Sequence, residues 1–248
     1  MTLSCTFDRD LLIIDTEATG VKDYHVICQW GSVRLDRHTL QPKSRLDTIV
    51  RCDSSDIIRA DPRAMEIHGI TPARLTSFGE GIIEFSELVE TKIYEAHGDP
   101  SEYHIYGCGV NFDIRKLDQM CKRYKVEYPF PGDRDKSGCR IYDLTSWWST
   151  ISGALGLGWG TCALRQMAKK FNIETSELHG AVDDCDITAA ALRKSIELVQ
   201  TRLDYTSPVL PNPCPTCDRP MILRTNNNNG SKFWGCSGFP NCRKTQRA

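Results

Sequence analysis

The chain has 248 residues, of which 40% are hydrophobic and 25% charged, and its formal net charge is −1. Those fractions are typical of an ordinary globular protein, and the balance excludes a uniformly basic nucleic-acid coat. From Pro211 to Ala248, however, six Lys/Arg stand against one acid, Asp218, a net +5 that leaves −6 for the rest. A basic tail on an acidic body predicts a polyanionic partner met mainly through the tail.

The apolar run Leu11–Ile14, ending in acids, predicts a buried central strand. Val26–Leu35 predicts a second strand and Asp47–Arg51 a third at an edge, together a meander. Pro62–His68 reads as a short helix with proline in its first turn. Apolar residues at helical spacing (Ile82, Phe85, Leu88, Val89, Ile93) predict an amphipathic helix over Ile82–Ala96. A strand at His104–Tyr106, a helix over Phe112–Tyr124 and a strand at Arg140–Asp143 follow. Gly153–Gly160 lacks the Lys-Ser/Thr that completes a phosphate cradle and reads as a surface loop. Helices are expected over Ala163–Phe171 and Val182–Gln200. The three prolines of Thr206–Pro213 predict a stiff extended linker, and Asn226–Asn229 a loop tip.

Met1–Asp10 has neither the basic nor the apolar region of a secretory signal, and no apolar run approaches the roughly 20 residues a bilayer span needs. A cytoplasmic protein with no membrane partner is expected. Eight of the twelve cysteines (Cys5, Cys28, Cys52, Cys108, Cys121, Cys139, Cys162, Cys185) show no ligand spacing and read as small reduced core residues.

Asp15-x-Glu17 at the end of a strand places two carboxylates on one face. Paired carboxylates after a buried strand are costly without a compensating cation, and such a pair can bridge two divalent ions about 4 Å apart. Asp113 opens a helix after a glycine-rich turn. Asp184 follows His179 by five residues, so the two converge only if His179 lies in the loop before the last long helix. Asp183 and Asp186 read as solvated helix positions.

IDTEATG, NFDIRKL and HGAVDDCDITAAAL together resemble the three motifs of the DEDDh family of 3′→5′ exonucleases, and MEIHGIT resembles the segment between its first two motifs. The resemblance spans roughly Asp10–Leu198. It implies a ribonuclease H-like α/β fold, a five-stranded mixed sheet flanked by helices. It also implies that Asp15, Glu17, Asp113 and Asp184 hold two Mg²⁺ or Mn²⁺ ions, with His179 as general base. Thr16, Ala18, Thr19 and His68 would border the substrate. One departure stands out: Cys108 and Gly109 occupy the places where the family often has His-Asn, which bears on how the strand is held there.

Cys214-x2-Cys217 and, eighteen residues on, Cys236-x5-Cys242 form a zinc pattern. Four thiolates complete tetrahedral Zn²⁺, so the ion is expected to be structural, and the short module depends on it for folding. The segment Cys214–Arg243 resembles the C4 zinc ribbons of bacterial type I topoisomerases. That resemblance implies single-stranded DNA binding, with Phe233, Trp234 and Phe239 stacking bases and Arg219, Arg224, Lys232 and Arg243 meeting phosphates. At least one of the three rings is expected to pack the module's small core instead.

The combined expectation is an exonuclease domain at 1–203, a linker at 204–213 and a ribbon at 214–248. The enzyme would degrade DNA, single-stranded 3′ ends preferred. An exoribonuclease and a non-catalytic nucleic-acid-binding adaptor are the alternatives. A homodimer and a protein partner docking on the ribbon are also compatible with the sequence.

Overall fold

β1 (Asp10–Ala18) contains four consecutive apolar residues, all buried, so both of its faces are covered. A computed structural model describes this strand among residues 7–130, 140–175, 180–206, 214–217, 221–226, 230–236, 239–240 and 242–247. The chain divides into two compact units, Met1–Glu197 and Leu198–Ala248.

In the first unit β1 pairs antiparallel with β2 (Ile27–Leu35) and parallel with β5 (Tyr103–Gly107). β3 (Pro42–Val50), β4 (Ile82–Ile83) and β6 (Ile141–Asp143) complete a mixed sheet of order β4-β3-β2-β1-β5-β6. The sheet therefore has six strands rather than five, and β3 is not an edge. The extra strand is β4, whose two residues pair in parallel with Ile49 and Val50. The helix expected from Ile82 instead begins at α4 (Phe85–Glu87), continues as a π-helical turn over Leu88–Lys92 and ends as α5 (Ile93–His97). Apolar spacing could not separate a two-residue strand from the helix behind it, because Ile82 and Phe85 suit either element.

The alternation of β1 divides two cores. Leu12 and Ile14 join Trp30, Phe85, Leu88 and Tyr103 on one face, with Leu117 and Met120 of α6 (Asn111–Tyr124). Leu11 and Ile13 face the other way. They pack with Trp148 of α7 (Leu144–Ala154), Met167 of α8 (Leu164–Lys170) and Leu192 of α9 (Ala181–Thr206). Three short helices, α1 (Ser54–Ile58), α2 (Pro62–His68) and α3 (Pro72–Thr76), lie between β3 and β4 in the chain. α2 has the expected proline at its start, Asp61 as N-cap and left-handed Gly69 as C-cap.

The second unit carries an antiparallel sheet of order β7-β8-β9, formed by Met221–Thr225, Lys232–Cys236 and Thr245–Arg247. Its small core is Cys214, Met221 and Cys236, with Trp234 and Cys242 packed on it. Residues 204–206 of the linker expected at 204–213 still belong to α9, while 207–213 and the Asn226–Asn229 tip beyond Asn226 lie outside the described residues. Among the described residues no helix is long and apolar enough to cross a membrane, and the described cysteines form no disulfide.

Candidate functional site

Asp15 and Glu17 sit on the β1 face that packs against α9, as their period of two requires. α9 approaches that face closely because Gly31, the β2 partner of Asp15, has no side chain. A Cβ there would stand 2.2 Å from the carbonyl carbon of Ala181 and 2.3 Å from the Val182 nitrogen. Gln29, opposite Glu17, accepts from the Ala181 N–H at 3.4 Å and donates to Asp47 at 2.9 Å. With the first turn of α9 seated there, Asp184 joins Asp15 and Glu17, and one oxygen from each acid lies within 4.8 Å of the others.

Asp113 arrives from α6, on the opposite face. The β1–β5 ladder ends at Ile13↔Tyr106, so β1 continues beyond it without that partner. Gly107 lets the chain turn here, since a Cβ would come within 2.9 Å of the Ile14 carbonyl and the Val110 side chain. The Thr16 N–H donates to Asp113 Oδ1 at 3.0 Å and the Thr16 hydroxyl to the same oxygen at 2.6 Å. Asp143, at the end of β6, accepts from Gly109 N–H at 3.2 Å and from the Thr145 hydroxyl at 2.6 Å, fixing the loop before α6.

Loss of water raises the Asp15 carboxyl well above the usual range, and the charges of Asp113, Asp184 and Glu17 raise it further. The same causes lift Glu17 to about 7, with Asp184 ahead of Asp113 among the neighbours. Burial lifts Asp113 to about 7 against the hydrogen bonds from Thr16. Acids crowded in this way suit a hard divalent cation, which prefers carboxylate oxygen and relieves their repulsion.

The remaining expected residues fall in different places. His179 lies outside the described residues, and α9 begins at Ala181. Thr19 is fully buried, its hydroxyl accepting from Val26 N–H at 3.0 Å, and Ala18 is 8% exposed. His68 is buried, with Nδ1 accepting from Ile70 N–H at 3.0 Å and Nε2 3.7 Å from Cys28 Sγ. Asp183 is exposed as expected, while Asp186 is half-exposed and ion-paired with Arg45. Cys108 is held as a neutral thiol, pushed up to about 12 by burial and the charge of Asp143. Gly31 and Gln29 had no sequence signal of their own, because each meets α9 far along the chain; Asp143 had only its local spacing to Thr145, which does not reveal its bond to Gly109.

In the second unit the Sγ atoms of Cys214, Cys217, Cys236 and Cys242 all lie within 4.8 Å of one another. Tetrahedral zinc with bonds of about 2.3 Å places sulfur atoms about 3.8 Å apart, and the Cys214–Cys242 and Cys217–Cys236 pairs measure 3.6 and 3.3 Å. Although loss of water opposes it, N–H groups of Thr216 and Cys217 and the neighbouring thiols hold Cys214 down to about 6, toward the thiolate that zinc binds. Phe239 is 57% exposed and Phe233 half-buried, whereas Trp234 packs on the cysteines. Arg224 lies over the Phe239 ring at 5.7 Å, Lys232 and Arg243 are exposed, and Arg219 lies outside the described residues.

No curated protein matches the chain. Among solved structures it is similar to E. coli exonuclease I in complex with a dT13 oligonucleotide, at 18% identity and TM-score 0.63, covering 95% of this chain and 54% of that one. Exonuclease I from Methylocaldum szegediense gives 17% identity and TM-score 0.60, covering 92% and 54%. The chain thus spans about half the length of these two relatives. The nuclease domain of 3′hExo, a DEDDh family member bound to rAMP, gives 16% identity and TM-score 0.57, covering 80% and 95%. The model of the topoisomerase DNA-binding C4 zinc finger matches residues 212–248. The exonuclease model matches residues 12–192, a span that takes in all four acids and most of the sequence, and the chain belongs to the exonuclease family.

Proposed function

We propose that the chain is a metal-dependent 3′→5′ exonuclease acting on DNA, with single-stranded 3′ ends preferred and nucleoside monophosphates as product. The observation that carries this reading is the convergence of Asp15, Glu17 and Asp184 within 4.8 Å, with Asp113 adjoining through Thr16. These four acids would hold two Mg²⁺ or Mn²⁺ ions. Bound there, the ions supply charge neutralisation at the phosphate and an acidified water. His179 takes the proton from the attacking water, a task suited to a group that titrates near neutrality.

Thr16 is held by Asp113, and Thr19 by Val26 and Asp61, through both side chain and backbone, so Thr16, Ala18 and Thr19 border the 3′-terminal nucleotide as a fixed wall, with His68 assigned to the same substrate side. The exonuclease domain is assigned to 1–203, the linker to 204–213 and the ribbon to 214–248. Zinc on Cys214, Cys217, Cys236 and Cys242 holds the ribbon. There Phe239 is the foremost stacking ring, Phe233 adds a second, and Trp234 serves the core. Arg219, Arg224, Lys232 and Arg243 meet phosphates. An exoribonuclease is the second reading, favoured by the likeness to 3′hExo, whose nuclease domain was solved with rAMP.

The test uses 5′-labelled single-stranded DNA and a matched RNA, each incubated with protein and Mn²⁺ and resolved on a gel. A ladder shortening from the 3′ end, absent with EDTA and in His179→Ala, is expected, with DNA the faster substrate. Two intact strands would leave a nucleic-acid-binding adaptor as the better account.

A further inference from the structure

The segment between β1 and β2 is tied down at several points yet presents an aromatic ring to solvent. At its neck Thr19 and Val26 exchange hydrogen bonds, and Thr19 O accepts from Asp61 N–H at 2.7 Å. Inside, His25 Nδ1 accepts from Lys22 N–H at 3.1 Å, while Nε2 donates to Arg59 O at 2.9 Å. Gly20, with φ +150°, makes room for that imidazole, since a Cβ there would lie 2.1 Å from His25 Nδ1. From below, fully buried Lys116 of α6 donates to Lys22 O and, at 3.3 Å, to His25 O. Lys116 stands one helical turn beyond Asp113, and Thr19 two residues beyond Glu17. The elements that carry three of the four acids, β1 and α6, therefore also carry this loop.

Tyr24 is 44% exposed at the surface of this clamp. Lys22 Nζ lies 5.8 Å and Arg59 Cζ 6.0 Å from its ring centre, and the His25 ring meets it edge-on at 4.5 Å. Exposed Arg115 stands on the neighbouring face of α6. Two acids oppose these cations. Asp23 is taken by Gln119 Nε2 at 3.0 Å, and Asp56 is shared between Arg59 at 3.3 Å and Arg123 at 2.9 Å. On a body whose net charge outside the tail is −6, an exposed, fixed ring with exposed cations beside it matches a nucleic-acid strand, which offers base faces and phosphates together.

We propose that Tyr24, with Lys22 and Arg59, is a second contact point for the strand: a base on the 5′ side of the terminal nucleotide stacks on the ring, and the two cations meet the flanking phosphates. This rests on the exonuclease reading for the polarity of the strand. The site is distinct from the ribbon and belongs to the domain that holds the acids.

The test takes the full chain carrying Asp15→Asn in EDTA, with single-stranded DNA bearing 2-aminopurine at successive positions from the 3′ end. Stacking on Tyr24 is expected to quench one internal position. Adding Tyr24→Ala should remove that quench and weaken binding about fivefold or more, whereas Tyr24→Phe retains both. Lys22→Glu should weaken binding and lower its salt dependence. Identical quench profiles and affinities with and without Tyr24→Ala would overturn the proposal. The gel assay on wild-type protein is read separately. An intact ladder alongside an unchanged Tyr24→Ala profile removes the platform alone. A Tyr24-dependent quench alongside uncut 3′ ends supports the platform and removes the exonuclease reading.

Discussion

Thr16 directs two donors at one carboxylate oxygen of Asp113, its N–H at 3.0 Å and its hydroxyl at 2.6 Å. Both come to Oδ1, which fixes the orientation of the carboxylate. Groups that hold a metal-ligating carboxylate in this way typically control metal affinity by about 10–100-fold. Thr16→Val keeps the N–H but loses the hydroxyl. It is expected to raise the Mn²⁺ concentration for half-maximal activity about tenfold, with Thr16→Ser close to wild type. A Mn²⁺ titration of the initial rate checks this.

The crowded acids make stability depend on pH. Glu17 is lifted from 4.5 to about 7 by loss of water and by Asp184 and Asp113. A carboxyl raised in the folded state favours the fold when protonated, so its cost sets in as pH climbs through 4.5 and is complete above 7. For Glu17 that cost is on the order of 3 kcal/mol. In EDTA the protein should therefore melt higher at pH 5 than at pH 8. Mn²⁺ should raise Tm at pH 8, and Glu17→Gln should raise it without metal. Thermal unfolding at both pH values decides the matter; a flat Tm in EDTA speaks against the repulsion.

Gly31→Ala places a methyl group 2.2 Å from the Ala181 backbone. Backbone cannot swing aside as a long side chain can, so α9 must lift from β2. Overpacking of this kind costs about 1–3 kcal/mol. Because Asp184 rides on the same turn, Mn²⁺ affinity should fall with stability. Urea denaturation and Mn²⁺ binding by calorimetry measure the two effects.

Zinc removal should affect the second unit alone. With so few core residues, β7–β9 are expected to draw their folding free energy from a metal held by the four cysteines. A strong chelator or Cys217→Ser is expected to erase amide protection over 221–247 while leaving that of β1 and β2 intact, as hydrogen exchange would show. Deleting Pro211–Ala248 should weaken engagement of long strands and preserve turnover of short ones.

The strand carrying Asp15 and Glu17 and the helices carrying Asp113 and Asp184 were legible because long apolar patterns and a D-x-E step have only one sensible period. α7 was not predicted, although Asp143 caps it through Thr145 N–H at 2.9 Å; its Trp147, Trp148 and Thr150 are poor helix formers. The expected glycine loop begins only after Ala154, and Gly156, Gly158 and Gly160 then take left-handed φ values. The joint role of Thr16 and Asp113 was hidden because the two are 97 residues apart. Sequence could place Thr16 beside the acids but could not tell that its donors serve one of them.

The acid set has a consequence for folding. Asp15, Glu17 and Asp184 depend on the layer of Trp148, Met167 and Leu192, whereas Asp113 depends on the layer of Leu117 and Met120. A half-folded chain with one layer docked carries an incomplete set of acids. Both hydrophobic layers must close before the four acids can meet, so a cation that draws on all of them finds its site only when both are in place.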